Sequence, residues 1–239
     1  MRRRLRVSAD ADDPYDWDAR VDAWEEVAAT DAFLALRDRI LEAAEARRND
    51  RVLDLGAGTG LVALELAPCV ARVVAFDLSQ AMLDRLEELA EERSVANVDL
   101  VEGDMRSLPF DDESFDLVVS NYVFHHLDDP AKELALSEVR RVLVPGGRLV
   151  LCDMMFSLSL QPRDRRLLID KIRSIAARGP AGLLRIVRNA GRVAVGSWEH
   201  PAPPESWQRM LNERRFVGIK VDLLEQEAGI ALARRPVRT

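Results

Sequence analysis

The chain has 239 residues and a formal net charge of −7, with 48% hydrophobic and 31% charged side chains. These values suit one substantial core and leave little room for long disordered segments. The acidic balance excludes coating of nucleic acid by the overall field, though not binding through a local basic patch. Cys69 and Cys152 lack CxxC spacing and a nearby histidine cluster, which excludes a disulfide framework or zinc site and predicts two buried free thiols.

In chain order, the basic start (Arg2, Arg3, Arg4, Arg6) runs into Asp10, Asp12, Asp13, Asp16 and Asp18, where a secretion signal needs its apolar core. No apolar run approaches the ~18 residues of a membrane span. The expectation is a cytoplasmic chain with no membrane span. Residues 19–47 carry Val21, Trp24, Val27, Phe33, Leu34, Ile40 and Leu41 at helical spacing, predicting one or two amphipathic helices. Strands are then predicted at 51–55, 73–77, 98–102, 115–120 and 148–153, with helices at 61–66, 81–93 and 130–142 between them. Strands separated by helices imply right-handed crossovers and a mostly parallel sheet.

The rhythm breaks after Asp153. About forty residues read as helices around the turn Gly179-Pro180-Ala181-Gly182, and nine basic residues (Arg163, Arg165, Arg166, Lys171, Arg173, Arg178, Arg185, Arg188, Arg192) face three acidic ones (Asp164, Asp170, Glu199). Interleaved Leu167, Leu168, Ile172, Ile175, Leu183 and Leu184 give an amphipathic lid over an apolar or anionic ligand, or else a solvated helix face. A helix at 204–214 and a hairpin at 218–225 and 230–234 follow. The chain divides as one domain, 1–239: N-terminal helices 1–48, core 49–156, helical lid insertion 157–197, and terminal helix with β-hairpin 198–239.

Gly56-Ala57-Gly58-Thr59-Gly60 follows an apolar strand and precedes a helix, a place where a chain without β-carbons turns tightly and lets a ligand approach its backbone. The third glycine comes one residue too early for the dinucleotide fingerprint, and there is no phosphate-loop lysine. Asp77 ends the next strand, where a carboxylate accepts both ribose hydroxyls, each charge-assisted bond contributing about 1.5–3 kcal/mol. It would repel a 2′-phosphate; its alternative role is a helix N-cap, which Ser79 can also fill. Asp104, Met105 and Asn121 lie at further strand ends on the same sheet edge. Asp104 suits an adenine amino group, Met105 the ring face, and Asn121 the reacting end of the ligand.

These residues, with Val52-Leu-Asp-Leu-Gly56, Leu108-Pro-Phe110, Phe115-Asp-Leu-Val-Val-Ser-Asn121 and Leu143-Val-Pro-Gly-Gly147, resemble the class I S-adenosylmethionine-dependent methyltransferases. The similarity is greatest to the small-molecule group that includes ubiquinone and menaquinone biosynthesis enzymes, and it covers roughly residues 50–153. It implies an α/β, Rossmann-like, seven-stranded, mostly parallel sheet with helices on both faces and one antiparallel strand. It also implies S-adenosyl-L-methionine held by Asp54, Gly56, Ala57, Gly58, Gly60, Asp77, Leu78, Met82, Asp104, Met105 and Asn121, and no metal. In the similar phosphoethanolamine methyltransferases a histidine in the loop after the fourth strand works with an N-terminal tyrosine. His126 and Tyr15 match those places as catalytic residues, His126 as a general base or an acceptor-orienting group, with Tyr15 and Trp17 closing over the site; packing or capping of the next helix is the alternative for His125 and His126. The acceptor expected is a small organic molecule, hydrophobic or anionic. RNA methylation through the basic insertion, a non-catalytic cofactor-binding role, and homo-oligomerisation stay open.

Overall fold

A computed structural model of the protein describes residues 4–6, 16–156, 199–224 and 227–238. Tyr15 and the basic insertion expected at 157–197 lie outside the described residues. The strands are β1 (Arg4–Arg6), β2 (Arg51–Leu55), β3 (Arg72–Asp77), β4 (Val98–Glu102), β5 (Phe115–Asn121), β6 (Leu143–Met154), β7 (Val217–Leu223) and β8 (Ala228–Arg234). The described α-helices are α1 (Val21–Ala28), α2 (Asp31–Ala44), α3 (Ala63–Leu66), α4 (Gln80–Glu92), α5 (Asp129–Val142) and α6 (Pro204–Glu213).

The sheet runs β1-β4-β3-β2-β5-β6-β8-β7, with β8 antiparallel to both its neighbours. The seven expected strands are all present. An eighth, β1, pairs parallel to β4 at the outer edge, Arg4 opposite Leu100 and Arg6 opposite Glu102. Three residues rich in arginine carry no alternation, so the added strand has no periodic signature in the sequence. The chain leaves β2 toward β3 on one side and reaches β5 on the other, which places a crevice at the carboxyl ends of the strands where the order reverses.

Alternation along each central strand divides the core in two. Leu53, Leu55, Val118, Leu149 and Leu151 pack with Ala135, Leu136 and Val139 of α5 and Trp207, Met210 and Leu211 of α6. Val52, Leu117, Val119, Val150 and Cys152 face Ile40 and Ala44 of α2 and Leu83, Leu86 and Ala90 of α4. Successive strand side chains point to opposite faces, so a strand buried on both sides is apolar throughout. Cys152 is a buried free thiol, pushed up to about 12 by burial and by Asp153. Cys69 corrects the expectation: it is free but exposed, because the 3-10 turn Ala67–Cys69 leaves the core at that point.

One buried ion pair joins the N-terminal helices to the sheet. Arg148 on β6 pairs with Asp50 and donates from Nη1 to the Glu45 carbonyl at 2.5 Å, where α2 ends in a left-handed residue. Breaking such a pair leaves an uncompensated buried charge, at a cost of about 3–5 kcal/mol. Arg148→Ala is therefore expected to lower unfolding stability by roughly that amount, read as a shift of the urea midpoint at unchanged m-value.

Candidate cofactor and acceptor site

The glycine loop is sewn to the end of β3. The Gly56 and Ala57 N–H groups donate to the Phe76 carbonyl at 2.7 and 3.0 Å, and the Gly58 N–H donates to Asp77 Oδ2 at 2.7 Å. Gly56 and Gly58 take φ of +74° and +52°, a region that penalises side chains. A β-carbon on Gly56 would lie 2.3 Å from Val123, and one on Gly58 would lie 2.9 Å from the Trp24 indole nitrogen. The loop is thus confined between the turn after β5 and helix α1.

Asp77 Oδ1 accepts the Ser79 N–H at 2.9 Å. Burial raises this carboxyl group, while the N–H groups of Ser79, Gly58 and Leu78 oppose the rise. Ser79, not Asp77, caps α4, its Oγ accepting the Met82 N–H at 3.1 Å. Asp18 reaches across to the same helix start, accepting the Ser79 Oγ–H at 2.6 Å and the Ala81 N–H at 3.3 Å. Glu25 of α1 pairs with Arg85 of α4 at 2.9 Å. Two polar ties therefore hold the N-terminal segment against the cofactor half of the fold.

A cavity of about 360 Å³ opens at this edge, and Gly56, Gly58, Asp77, Leu78, Met82, Asp104, Met105, Asn121 and His126 all line it. Asp104 is engaged by Arg106, whose backbone N–H donates to Oδ1 at 2.8 Å and whose side chain pairs with Oδ2. Three expected cofactor residues do not line the cavity. Ala57 is buried in the core. Gly60 (φ +90°) makes room for Leu86 of α4, 2.8 Å from where its β-carbon would be. Asp54 is buried, its Oδ2 without a hydrogen-bond partner among the described residues. These three support the loop from beneath. Burial, with Asp77 nearby, raises Asp54 to about 7 against a bond from the Ala63 N–H.

The other end of the cavity is aromatic. Trp17 lines it with its ring 4.8 Å from that of His126, edge-on. Trp24, Tyr122, Val123 and His200 line it too, and these four have no single-residue signal: Trp24 sits in the apolar stripe of a helix, indistinguishable by spacing from core. Tyr122 holds φ of +58°, its N–H bonded to the Cys152 carbonyl at 2.8 Å.

Behind His126 is a buried pair. His125 Nδ1 lies 2.6 Å from Asp153 Oδ1, and the His125 N–H donates to Oδ2 at 3.2 Å. Burial opposes the imidazolium, yet Asp153, with Glu199 and Glu227, raises His125 overall and is itself lowered by it. The His126 ring is 4.0 Å from that of His125. Burial first, then His125 and Arg20, lower it to about 3, so His126 is neutral at physiological pH. Neither histidine caps α5; Asp128 does, accepting the Ala131 N–H at 2.9 Å. His200 is fixed on both sides of its backbone, its N–H donating to the His125 carbonyl and its carbonyl accepting from Lys132 Nζ, each at 2.6 Å.

A glycine loop, a strand-end carboxylate and an apolar slot at the switch point of a parallel sheet define a nucleoside-binding α/β protein. Residues 52–147 match the family described as "Methyltransferase domain". The chain is 40% identical over 114 residues to the uncharacterized methyltransferase YcgJ of Bacillus subtilis, covering 48% of this chain and 44% of that protein. It is 42% identical over 119 residues to a demethylmenaquinone methyltransferase of Clavibacter sepedonicus, covering 49% and 45%. The chain thus spans about half the length of the relatives it matches. A S-adenosylmethionine-dependent methyltransferase of Aquifex aeolicus shares the fold, with TM-score 0.61 at 18% identity over 91% of this chain and 98% of that one. Among the described residues no helix is long and apolar enough to cross a membrane, and no cluster of His, Cys, Asp and Glu could hold a metal ion.

The raised carboxyl of Asp54 has a measurable signature. A folded group that keeps its proton above the unfolded value makes the native state bind more protons between roughly pH 4 and 7, so stability falls as pH rises through that window, by at most about 1.4 kcal/mol per unit. Asp54→Asn is expected to flatten this decline in urea unfolding measured from pH 4 to 8, leaving the contribution of Asp77, which is raised in the same direction.

Proposed function

We propose that the chain is an S-adenosyl-L-methionine-dependent methyltransferase acting on a small organic acceptor, hydrophobic or anionic, that enters beside His126. The observation that carries this reading is the Asp77 carboxylate, held at the cavity by two backbone N–H groups and flanked by Leu78 and Met105. The cofactor would supply an activated methyl group on a sulfonium. The demethylmenaquinone methyltransferases among the relatives support a small acceptor.

Each residue has a distinct part. Asp77 spends one lone pair of Oδ2 on the Gly58 N–H of the loop and one of Oδ1 on the Ser79 N–H at the head of α4, and keeps the others for the two ribose hydroxyls. Its bonds to Gly58 and Ser79 aim it, so binding needs no reorganisation of the carboxylate. Leu78 and Met105 offer apolar surface to the faces of the adenine. Asp104 accepts from its amino group at the edge, exchanging part of its contact with Arg106. Direct displacement at a methyl carbon needs alignment and exclusion of water above all, and alignment can supply about 7–11 kcal/mol. Trp17 and the turn that carries His126 provide both. Neutral His126 is too weak a base to hold a proton in solution, so its part is to accept a hydrogen bond from the acceptor and orient it, with Tyr15 as partner.

S-adenosylhomocysteine at about a hundredfold excess over its Kd should stabilise the native chain by about 2.7 kcal/mol, a rise in Tm of roughly 5–10 °C. Asp77→Ala should abolish most of that rise, and no rise in the wild type would overturn the reading. In a panel of acceptors followed by release of demethylated cofactor, His126→Ala should lower turnover by about 10²-fold through lost alignment of the acceptor while sparing cofactor affinity. Unchanged turnover would remove His126 from the mechanism.

A further inference from the structure

Strand β7 ends the described sheet and pairs on one side with β8. The outer side of such a strand presents backbone N–H and C=O groups on which another strand can build. Val217 and Leu223, its first and last residues, are 47% and 42% exposed, so solvent reaches the edge at both ends.

The pairing with β8 decides which backbone groups of β7 face outward. The Leu224 N–H donates to the Ala228 carbonyl at 2.9 Å, and the same register sets Asp222 opposite Ile230 and Lys220 opposite Leu232. Opposed residues in an antiparallel ladder are alternately hydrogen-bonded and not. Residues 220, 222 and 224 therefore turn their backbone groups to β8, and Val221 and Leu223 turn theirs away from it. Side chains alternate as well: Ile219 and Val221 pack against the core shared with α5 and α6, while Lys220 and Asp222 are exposed on the opposite face.

This spacing is self-complementary. Two copies of β7 laid antiparallel about a two-fold axis through Val221 bring the outward N–H and C=O groups of that residue onto those of the partner's Val221. The same register sets Lys220 opposite the partner's Asp222 and Asp222 opposite the partner's Lys220, in the non-hydrogen-bonded positions where side chains come closest. Sliding the pair to the next register of the same pleat would oppose Lys220 to Lys220 or Asp222 to Asp222, and like charges directly opposite are destabilising. A lysine alone on an edge wards off other strands; with Asp222 two residues along, it selects one partner in one register. The irregularity between Val217 and Lys220, where Gly218 holds φ of +61°, bends the strand and limits the pairing at that end.

We propose that two copies of the chain associate through β7, forming one sheet continuous across a two-fold axis and locked by reciprocal Lys220 and Asp222 pairs. Such an interface is isologous, each copy contributing the same patch. It gives the homo-oligomer left open by the sequence a definite surface, and it stands independently of the cofactor reading. One strand pair covers less than the roughly 1,000 Å² of a stable interface, so the dimer is weak, with Kd on the order of 10–100 µM.

The test is sedimentation velocity of the full chain from about 1 to about 500 µM, a range that brackets such a Kd. Wild-type chain should show a monomer–dimer equilibrium. Lys220→Glu and Asp222→Lys should each raise Kd at least about tenfold, since each opposes like charges at two places. An equimolar mixture of the two variants should recover the dimer, because every opposed pair then has opposite signs again, and this recovery also shows that both variants are folded. Amide exchange at Val221 and Leu223 should slow as the wild-type concentration rises, while exchange at Asp222, already bonded to β8, stays constant. A chain that remains monomeric throughout overturns the proposal. So do single variants that dimerise as the wild type does, or a mixture that does not recover.

Discussion

The site depends on the stitching of the glycine loop to the end of β3. Three successive N–H groups, from Gly56, Ala57 and Gly58, are taken by the Phe76 carbonyl and the Asp77 carboxylate. A loop of three glycines in five residues has large conformational freedom to lose. Anchoring it to a strand end already aligned within the sheet removes that freedom before any ligand arrives. In the proposed function the same carboxylate would serve the ligand, so that the strand that shapes the loop also presents the acceptor for the ribose. Asp54 adds a second buried carboxyl group, and burial, with Asp77 nearby, keeps Asp54 protonated over a wider range.

Much of the architecture was legible in the sequence because alternation and strand-end chemistry are local signals. The boundaries of β2 and β4 fall where the apolar runs do, and Asp77, Asp104 and Asn121 arrive at one edge because parallel strands must all end there. The glycines were visible as a group, but their separate duties were not. Gly56 and Gly58 face the cavity, whereas Gly60 yields space to Leu86, a contact that depends on how α4 packs. Strand β1 was invisible because three residues cannot show a period, and its pairing is decided by the free edge of β4.

The aromatic end of the cavity shows why a turn between strand and helix resists sequence reading. His125 and His126 are adjacent and chemically identical, yet one is turned into the core onto Asp153 and the other toward Trp17 and the cavity. Their behaviour diverges accordingly: the carboxylate stabilises the imidazolium of His125, and that charge with burial disfavours a proton on His126. Only the long-range pairing of residues 125 and 153 separates them. Trp24 is similar, since its apolar spacing fits a core position while its indole nitrogen faces the glycine loop.

The two bonds on the backbone of His200 have a mechanical meaning. Its amide is tethered to the turn that carries the histidines and its carbonyl to Lys132, a lysine buried at the base of α5. The His125 carbonyl that accepts from His200 lies one residue from the ring that faces the cavity, so the backbone at residue 200, the head of α5 and the turn that carries His126 form one hydrogen-bonded unit whose parts share their position.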